Sequence, residues 1–349
     1  MPLIGLDLEK LKYPHNGLFT VCWQLGQRLP ALLEQDEELL YYLPAGFKGF
    51  ANNGCYKALY YKWYHRYFFH PPKTAVWHAL HQDTNVYPRK RTGKLVLTIH
   101  DLNFLLDERK DDRTKTLLLR RLQEQVDEAD RIVTISRFTF NTVQEHLRVA
   151  KEKCCIIYNG ADIKEYPSFD QPCYRPAAPF LFSVGMLMPK KNFHVLPALL
   201  QHNQYELLIA GAPHGDYIKK IQEEAALFGV SNRVKLLGPI SNQDKYWYLK
   251  NCYAYVFPSI TEGFGIPPIE AMQFGKPVFL SDKTSLPEVG GDHAYYFHDF
   301  DPQHMQQVFE EGMHQYTTQH PQQAIIAHAH QFNWDRMTRE YLHVYRSLY

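Results

Sequence analysis

Ser259-Ile260-Thr261-Glu262-Gly263-Phe264-Gly265-Ile266-Pro267-Pro268-Ile269-Glu270 is the stretch whose residue types could do chemistry. It follows an apolar run ending at Phe257-Pro258, so it reads as a strand, a glycine loop and the start of a helix. Gly263 and Gly265 let backbone come close to a ligand. Pro267 and Pro268 suit a first helical turn, where a missing N–H costs little. A helix N-terminus in that position favours an anion such as a phosphate. Glu270 falls about one turn inside the helix, where its carboxylate can accept both hydroxyls of a vicinal diol such as a ribose. The spacing of the two glutamates carries nothing by itself, because with 37 acidic residues in 349 such pairs recur by chance. The information lies in the filling, G-F-G-I-P-P-I. A dinucleotide G-x-G-x-x-G fingerprint does not fit, since Pro268 stands at the third glycine position, which makes a nicotinamide oxidoreductase the weakest reading.

Short apolar runs alternate with amphipathic stretches along the whole chain. Strands are expected at residues 3–6, 39–43, 75–78, 95–99, 131–135 and 154–158, with helices at 19–33 and 115–129. Ser136 stands where an N-cap belongs, ahead of a helix through Val143 and Leu147. Residues 162–179 contain prolines and no period, and read as a linker. The pattern restarts with strands at 180–184, 206–210, 234–237, 253–257 and 277–280, helices at 217–228 and 267–274, and a helical tail at 334–348. Strand–helix alternation twice over implies an α/β protein with two parallel sheets, whose C-terminal strand ends bind ligands.

Further segments carry a resemblance. Phe182-Ser183-Val184-Gly185-Met186-Leu187-Met188-Pro189-Lys190-Lys191-Asn192, Leu207-Leu208-Ile209-Ala210-Gly211, Ser285-Leu286-Pro287-Glu288-Val289-Gly290-Gly291-Asp292, Thr98-Ile99-His100-Asp101-Leu102, Ile157-Tyr158-Asn159-Gly160 and Phe332-Asn333-Trp334 stand in an order shared with the 259–272 stretch. Together they resemble the retaining glycosyltransferases of family 4. The fold this implies is α/β, two Rossmann-like domains facing across a cleft (the glycosyltransferase-B type), with a C-terminal helix crossing back to the first. The implied division is an acceptor-binding domain over 1–163, a nucleotide-sugar-binding domain over 164–331, and a helix over 332–349 that packs on the first domain. The implied activity is transfer of a hexose, mannose among the choices, from a nucleotide diphosphate sugar to a hydroxyl of a glycan or lipid-linked acceptor. Retention at the anomeric carbon and a place in surface polysaccharide or lipopolysaccharide synthesis go with it. No cofactor and no metal are implied.

Residue by residue, the resemblance makes Glu270 the ligand of the donor ribose and sets Glu262 near the donor sugar hydroxyls. Gly263, Phe264 and Gly265 form the loop whose amides meet sugar and phosphate. Lys191 is the lysine on the donor diphosphate, with Lys190 and Gly185 beside it, and a cation there would stabilise the charge on the leaving group. His100 faces the sugar, and Gly17 opens a loop near the diphosphate and acceptor. Lys191, Glu262 and His100 are thus the catalytic candidates. The N-terminal loop departs from the family at Phe19, where many relatives have a second glycine. Lys190 stands where arginine is common, a point charge in place of a bidentate fork. The alternatives are a catalytically silent nucleotide-sugar-binding subunit supporting a partner transferase, and a related two-Rossmann epimerase or phosphorylase.

Composition bounds the rest. The chain is long enough for about two domains. Its charge balance of 38 − 37 = +1 argues against a nucleic-acid-coating protein. The six cysteines form no C-x-x-C pair and suit a reducing compartment. The start lacks the n-region and h-region of a secretory signal, and no apolar run spans a bilayer, so a cytoplasmic location is expected. Residues 56–69 are aromatic and basic together. As a helix they would align Leu59, Trp63 and Tyr67 beside Lys62 and Arg66. That helix either packs on the first sheet or makes peripheral contact with an anionic membrane surface on its inner face. His298-Asp299-Phe300-Asp301 contains a D-x-D, but its place in the order suits a polar turn better than a metal site.

Overall fold

The alternation of apolar runs and amphipathic helices is realised as two parallel sheets, each in its own unit of a computed structural model. The structure describes every residue except 15–16, 51–53, 85 and 88–92, together with the side chain of Arg66. One unit comprises Met1–Gly160 with Asn333–Tyr349, the other Ala161–Phe332.

The first unit runs β1 (Leu3–Asp7), α1 (Gly17–Arg28), β2 (Glu38–Leu43), β3 (Lys57–Tyr60), β4 (Val76–Ala79), β5 (Lys94–Ile99), α2 (Asp112–Glu128), β6 (Arg131–Thr134), α3 (Arg137–His146) and β7 (Cys154–Ile156). All pairings are parallel, in the order β3-β2-β1-β4-β5-β6-β7. The central strands are buried on both faces, as helix-covered parallel strands must be. Ser136 caps α3 as its position foretold, its Oγ accepting from the Thr139 N–H at 3.0 Å.

The second unit runs β8 (Phe180–Val184), β9 (Glu206–Ala210), α4 (Tyr217–Leu227), β10 (Val234–Gly238), α5 (Asn242–Asn251), β11 (Ala254–Phe257), α6 (Ile266–Gln273), β12 (Val278–Ser281), α7 (Leu286–Gly290), β13 (Tyr295–Phe297), α8 (Pro302–Gln319) and α9 (Gln322–Ala329). Its sheet order is β10-β9-β8-β11-β12-β13, again all parallel. The order reverses between β8 and β11, the place in an open parallel sheet where ligands bind.

The last helix, α10 (Trp334–Arg346), returns to the first unit. Trp334, Met337, Tyr341, Leu342 and Tyr345 recur at helical spacing and are buried. Burial of each such large side chain contributes about 1.5–3 kcal/mol. A polar chain fixes its register. The Tyr345 hydroxyl lies 2.6 Å from His78 Nδ1, His78 Nε2 lies 2.8 Å from Thr98 Oγ1, and that oxygen lies 3.1 Å from the Tyr341 hydroxyl. Burial pushes the His78 imidazole down to about 3, so it stays neutral and takes one proton donor and one acceptor. Arg346 grips the buried Glu37, and Arg28 reaches the exposed Asp335.

The aromatic–basic stretch corrects the sequence reading. Residues 57–60 form β3, an edge strand in register with β2, and Trp63–Arg66 is a single 3-10 turn. Tyrosine-rich sequence fits a pleated edge, and pairing with β2 supplies hydrogen bonds that override the helical spacing. The aromatic stripe is therefore absent. Phe69 enters the core, while Trp63 and Phe68 remain 76% and 72% exposed.

Candidate functional site

Two loops meet at the C-terminal ends of β8 and β11. The loop after β8 turns at Gly185 and makes a 3-10 turn over Pro189–Lys191, closed by Asn192 in a left-handed conformation at φ 58°. The loop after β11 is tied to it through backbone. Ile260 N–H donates to the Lys190 carbonyl at 2.9 Å, and Ser259 Oγ stands 3.1 Å from the same oxygen. Gly211 closes the adjacent turn with φ 146°, and a Cβ there would lie 1.8 Å from the Gly185 carbonyl oxygen. Only glycine fits so close an approach.

This framework brings Lys191 and Glu262 together. Lys191 Nζ lies 2.5 Å from Glu262 Oε1, with the two side chains 14% and 13% exposed. The ammonium also stands 4.8 Å from the centre of the Phe257 ring. Ser259 Oγ is 2.6 Å from the same carboxylate oxygen, and its single proton serves the charged acceptor best. The Glu262 N–H donates to Thr284 Oγ1 at 3.0 Å, and Ser285 Oγ stands 2.8 Å from the Phe264 carbonyl oxygen. The glycine loop is thus held from behind by α7 and its approach. Gly263 is half-buried. Phe264 is buried edge-on against Phe332. Gly265 takes φ 122° as the N-cap of α6, a conformation that disfavours any side chain. Lys190 is half-exposed, and among the described residues its ammonium has no ion-pair partner.

Pro267 and Pro268 do occupy the first turn of α6. They also remove two of the N–H groups an anion could use there, so the first turn is a weaker phosphate cradle than the sequence suggests. Glu270 lies on this helix, buried, with Oε1 2.6 Å from Lys245 Nζ and 3.4 Å from the Tyr246 hydroxyl. Burial, helped by the Glu270 charge, raises the Tyr246 phenol, so it remains a proton donor.

His100 and Gly17 belong to the other unit. His100 follows β5, buried, with its ring 5.2 Å from that of His81. Its Nε2 donates to the Leu80 carbonyl at 2.8 Å, which leaves Nδ1 as the acceptor. Burial holds the imidazole down to about 4, so it is neutral at physiological pH. Gly17 opens α1 in open space, where a Cβ would meet no atom within 4 Å. Phe19 stacks on Trp23 at 6.0 Å, and Asn16 lies outside the described residues.

Reasoning from sequence passed over Lys245, Tyr246 and Thr284. None sits in a recognisable motif, and Lys245 is one of several charges on α5 with nothing in its spacing to mark it. The D-x-D segment has a structural use, because Asp301 caps α8 by accepting from Gln303 N–H at 2.9 Å.

Comparison with known proteins agrees with this architecture. The model described as Glycosyltransferase Family 4 matches residues 20–165, and that of Glycosyl transferases group 1 matches residues 174–328. The serotype-specific mannosyltransferase WbdA of Escherichia coli is 29% identical over 239 residues; the match covers 63% of this chain but only 29% of that protein. The O-antigen chain mannosyltransferase B of Escherichia coli is 24% identical across 97% of this chain and 98% of its own. The crystal structure of Anabaena Alr3699/HepE in complex with UDP superposes with a TM-score of 0.72 at 18% identity, over the whole of both chains. With both halves matched in order and the fold shared end to end, the chain belongs to the family 4 glycosyltransferases of the glycosyltransferase-B fold.

Proposed function

We propose that the protein transfers a hexose from a nucleotide diphosphate sugar to a hydroxyl of a glycan or lipid-linked acceptor, with retention at the anomeric carbon and without a metal. The observation that carries this reading is the Lys191–Glu262 pair beside the glycine loop at the reversal point of the second sheet. There a cation and a carboxylate are held ready for a diphosphate and a sugar. The names of the relatives favour mannose as the sugar and O-antigen-type polysaccharide as the product.

In the proposed step the bond from the anomeric carbon to the leaving phosphate breaks, and a bond to the acceptor oxygen forms on the same face. The acceptor proton passes to the departing phosphate oxygen. Lys191, with Lys190 beside it, carries the charge that develops on the diphosphate. Glu262 accepts hydrogen bonds from sugar hydroxyls, and Glu270 accepts from the ribose. Two carboxylates here are binding groups, not the acid and base of a glycosidase.

The test is transfer from GDP-mannose or a UDP-hexose to an oligosaccharide acceptor in the presence of EDTA, with the product read by NMR. An α-linked product from an α-donor, formed at an undiminished rate, is expected. A β-linkage, or activity that EDTA abolishes, overturns the retaining or the metal-free part.

No helix among the described residues is long and apolar enough to cross a membrane. A cytoplasmic location with peripheral membrane contact is proposed, resting on the exposed Trp63 and Phe68 beside Lys62. Flotation with phosphatidylglycerol vesicles at low salt should carry the protein upward, and a Trp63→Ser/Phe68→Ser variant should stay behind. Wild-type protein that stays behind as well refutes the contact.

A further inference from the structure

Glu270 is a buried carboxylate whose two oxygens are used unequally. Oε1 takes the Lys245 ammonium at 2.6 Å and the Tyr246 hydroxyl at 3.4 Å. Oε2 takes no donor among the described residues. Lys245 is itself fixed. It sits in the first turn of α5, where Ser241 and Asp244 cap one another reciprocally and Asp244 also accepts from Cys173 N–H at 2.8 Å. Its ammonium stands 4.5 Å from the centre of the Tyr246 ring, and that ring lies nearly parallel to Tyr166. A flexible lysine has thus been immobilised against a single carboxylate oxygen.

A buried ion pair of this kind is a poor device for stability, since removing two charges from water offsets most of their attraction. It is a good device for orientation. An ionised carboxylate only accepts hydrogen bonds, whereas a protonated one also donates. The lysine occupies one oxygen, leaving the other for an incoming hydroxyl.

We propose that Lys245 is a positioning residue for the nucleotide: it clamps Glu270 through Oε1 so that Oε2 receives a ribose hydroxyl, and it thereby sets selectivity for ribonucleotides over deoxyribonucleotides. The inference rests on the reading of Glu270 as the ribose ligand.

The experiment measures binding of GDP and UDP, each beside its 2′-deoxy and 3′-deoxy forms, by calorimetry. The proteins are the chain described here and its Lys245→Met, Lys245→Arg and Glu270→Gln variants. Wild type should favour the preferred ribonucleotide over one of its deoxy forms about tenfold, the worth of one hydrogen bond to a charged acceptor. That ratio should fall to within about threefold of unity in Lys245→Met and return in Lys245→Arg, with the deoxy form bound equally by all. A merely structural lysine would weaken every nucleotide alike and leave the ratio intact. A ratio lost in Glu270→Gln but kept in Lys245→Met overturns the role of Lys245 alone. A ratio absent from wild type, or kept in Glu270→Gln, overturns the ribose reading of Glu270 and the inference with it. Should Lys245→Met fail to fold, Lys245→Gln serves as the neutral variant, judged by the same ratio.

Discussion

Replacing Lys191 by alanine is expected to lower kcat by about 10²–10³-fold, the usual loss when one preorganised electrostatic contact to a charged transition state is removed. The ammonium is held by Glu262 Oε1 at 2.5 Å and by the face of Phe257, on a side chain that leaves a turn closed by the left-handed Asn192. Without ligand its charge is balanced by Glu262. With a diphosphate bound it has a second, stronger anion to meet, and the developing charge on the leaving group strengthens that contact further. The benefit is largest in the transition state, so kcat should fall more than KM rises. Lys191→Arg should recover only part of the rate, because a planar fork does not superpose on a point charge. Lys190→Ala should cost less than tenfold, since its ammonium is held by no partner among the described residues. Steady-state kinetics, with melting curves to show that each variant is folded, check all three. Equal losses for Lys190 and Lys191, or a pure KM effect at Lys191, contradict the assignment.

The elements around this site were largely legible in the sequence, for a physical reason. Parallel strands buried on both faces read as short continuous apolar runs, and residues 180–184 and 206–210 match β8 and β9 end to end. The glycine loop was legible because glycines and prolines act through backbone geometry, which the structure repeats at Gly265 and at the first turn of α6. Residues 56–69 were misread because their helical spacing and their strand-forming composition disagree, and pairing with β2 decides the matter. The strand β13 and the helices α5, α7, α8 and α9 are not among the expected elements, because their apolar periods are weak or too short to read.

The pairing of functional residues was harder to foresee than their identity. Lys191 and Glu262 were both visible in their motifs, yet 71 positions separate them, and only the adjacency of β8 and β11 makes them one ion pair. Lys245 shows the opposite limit. It carries no motif, and its meaning comes entirely from its place 2.6 Å from Glu270.

The measurement that tests the central claim most directly is release of nucleotide from a panel of UDP-, GDP-, ADP- and TDP-sugars, by wild type and by Glu270→Gln. Glutamine is the better replacement, because alanine would leave the Lys245 charge buried with no hydrogen-bond partner on α6. The charged acceptor of the ribose hydroxyls is lost in this variant, and such hydrogen bonds contribute about 1.5–3 kcal/mol each. KM for the donor should therefore rise about 10–100-fold in the variant, while wild type turns over one base in preference to the others. A wild-type protein that releases nucleotide from no donor and gains no thermal stability from any nucleoside diphosphate would contradict the account. So would a Glu270→Gln variant that works as wild type does.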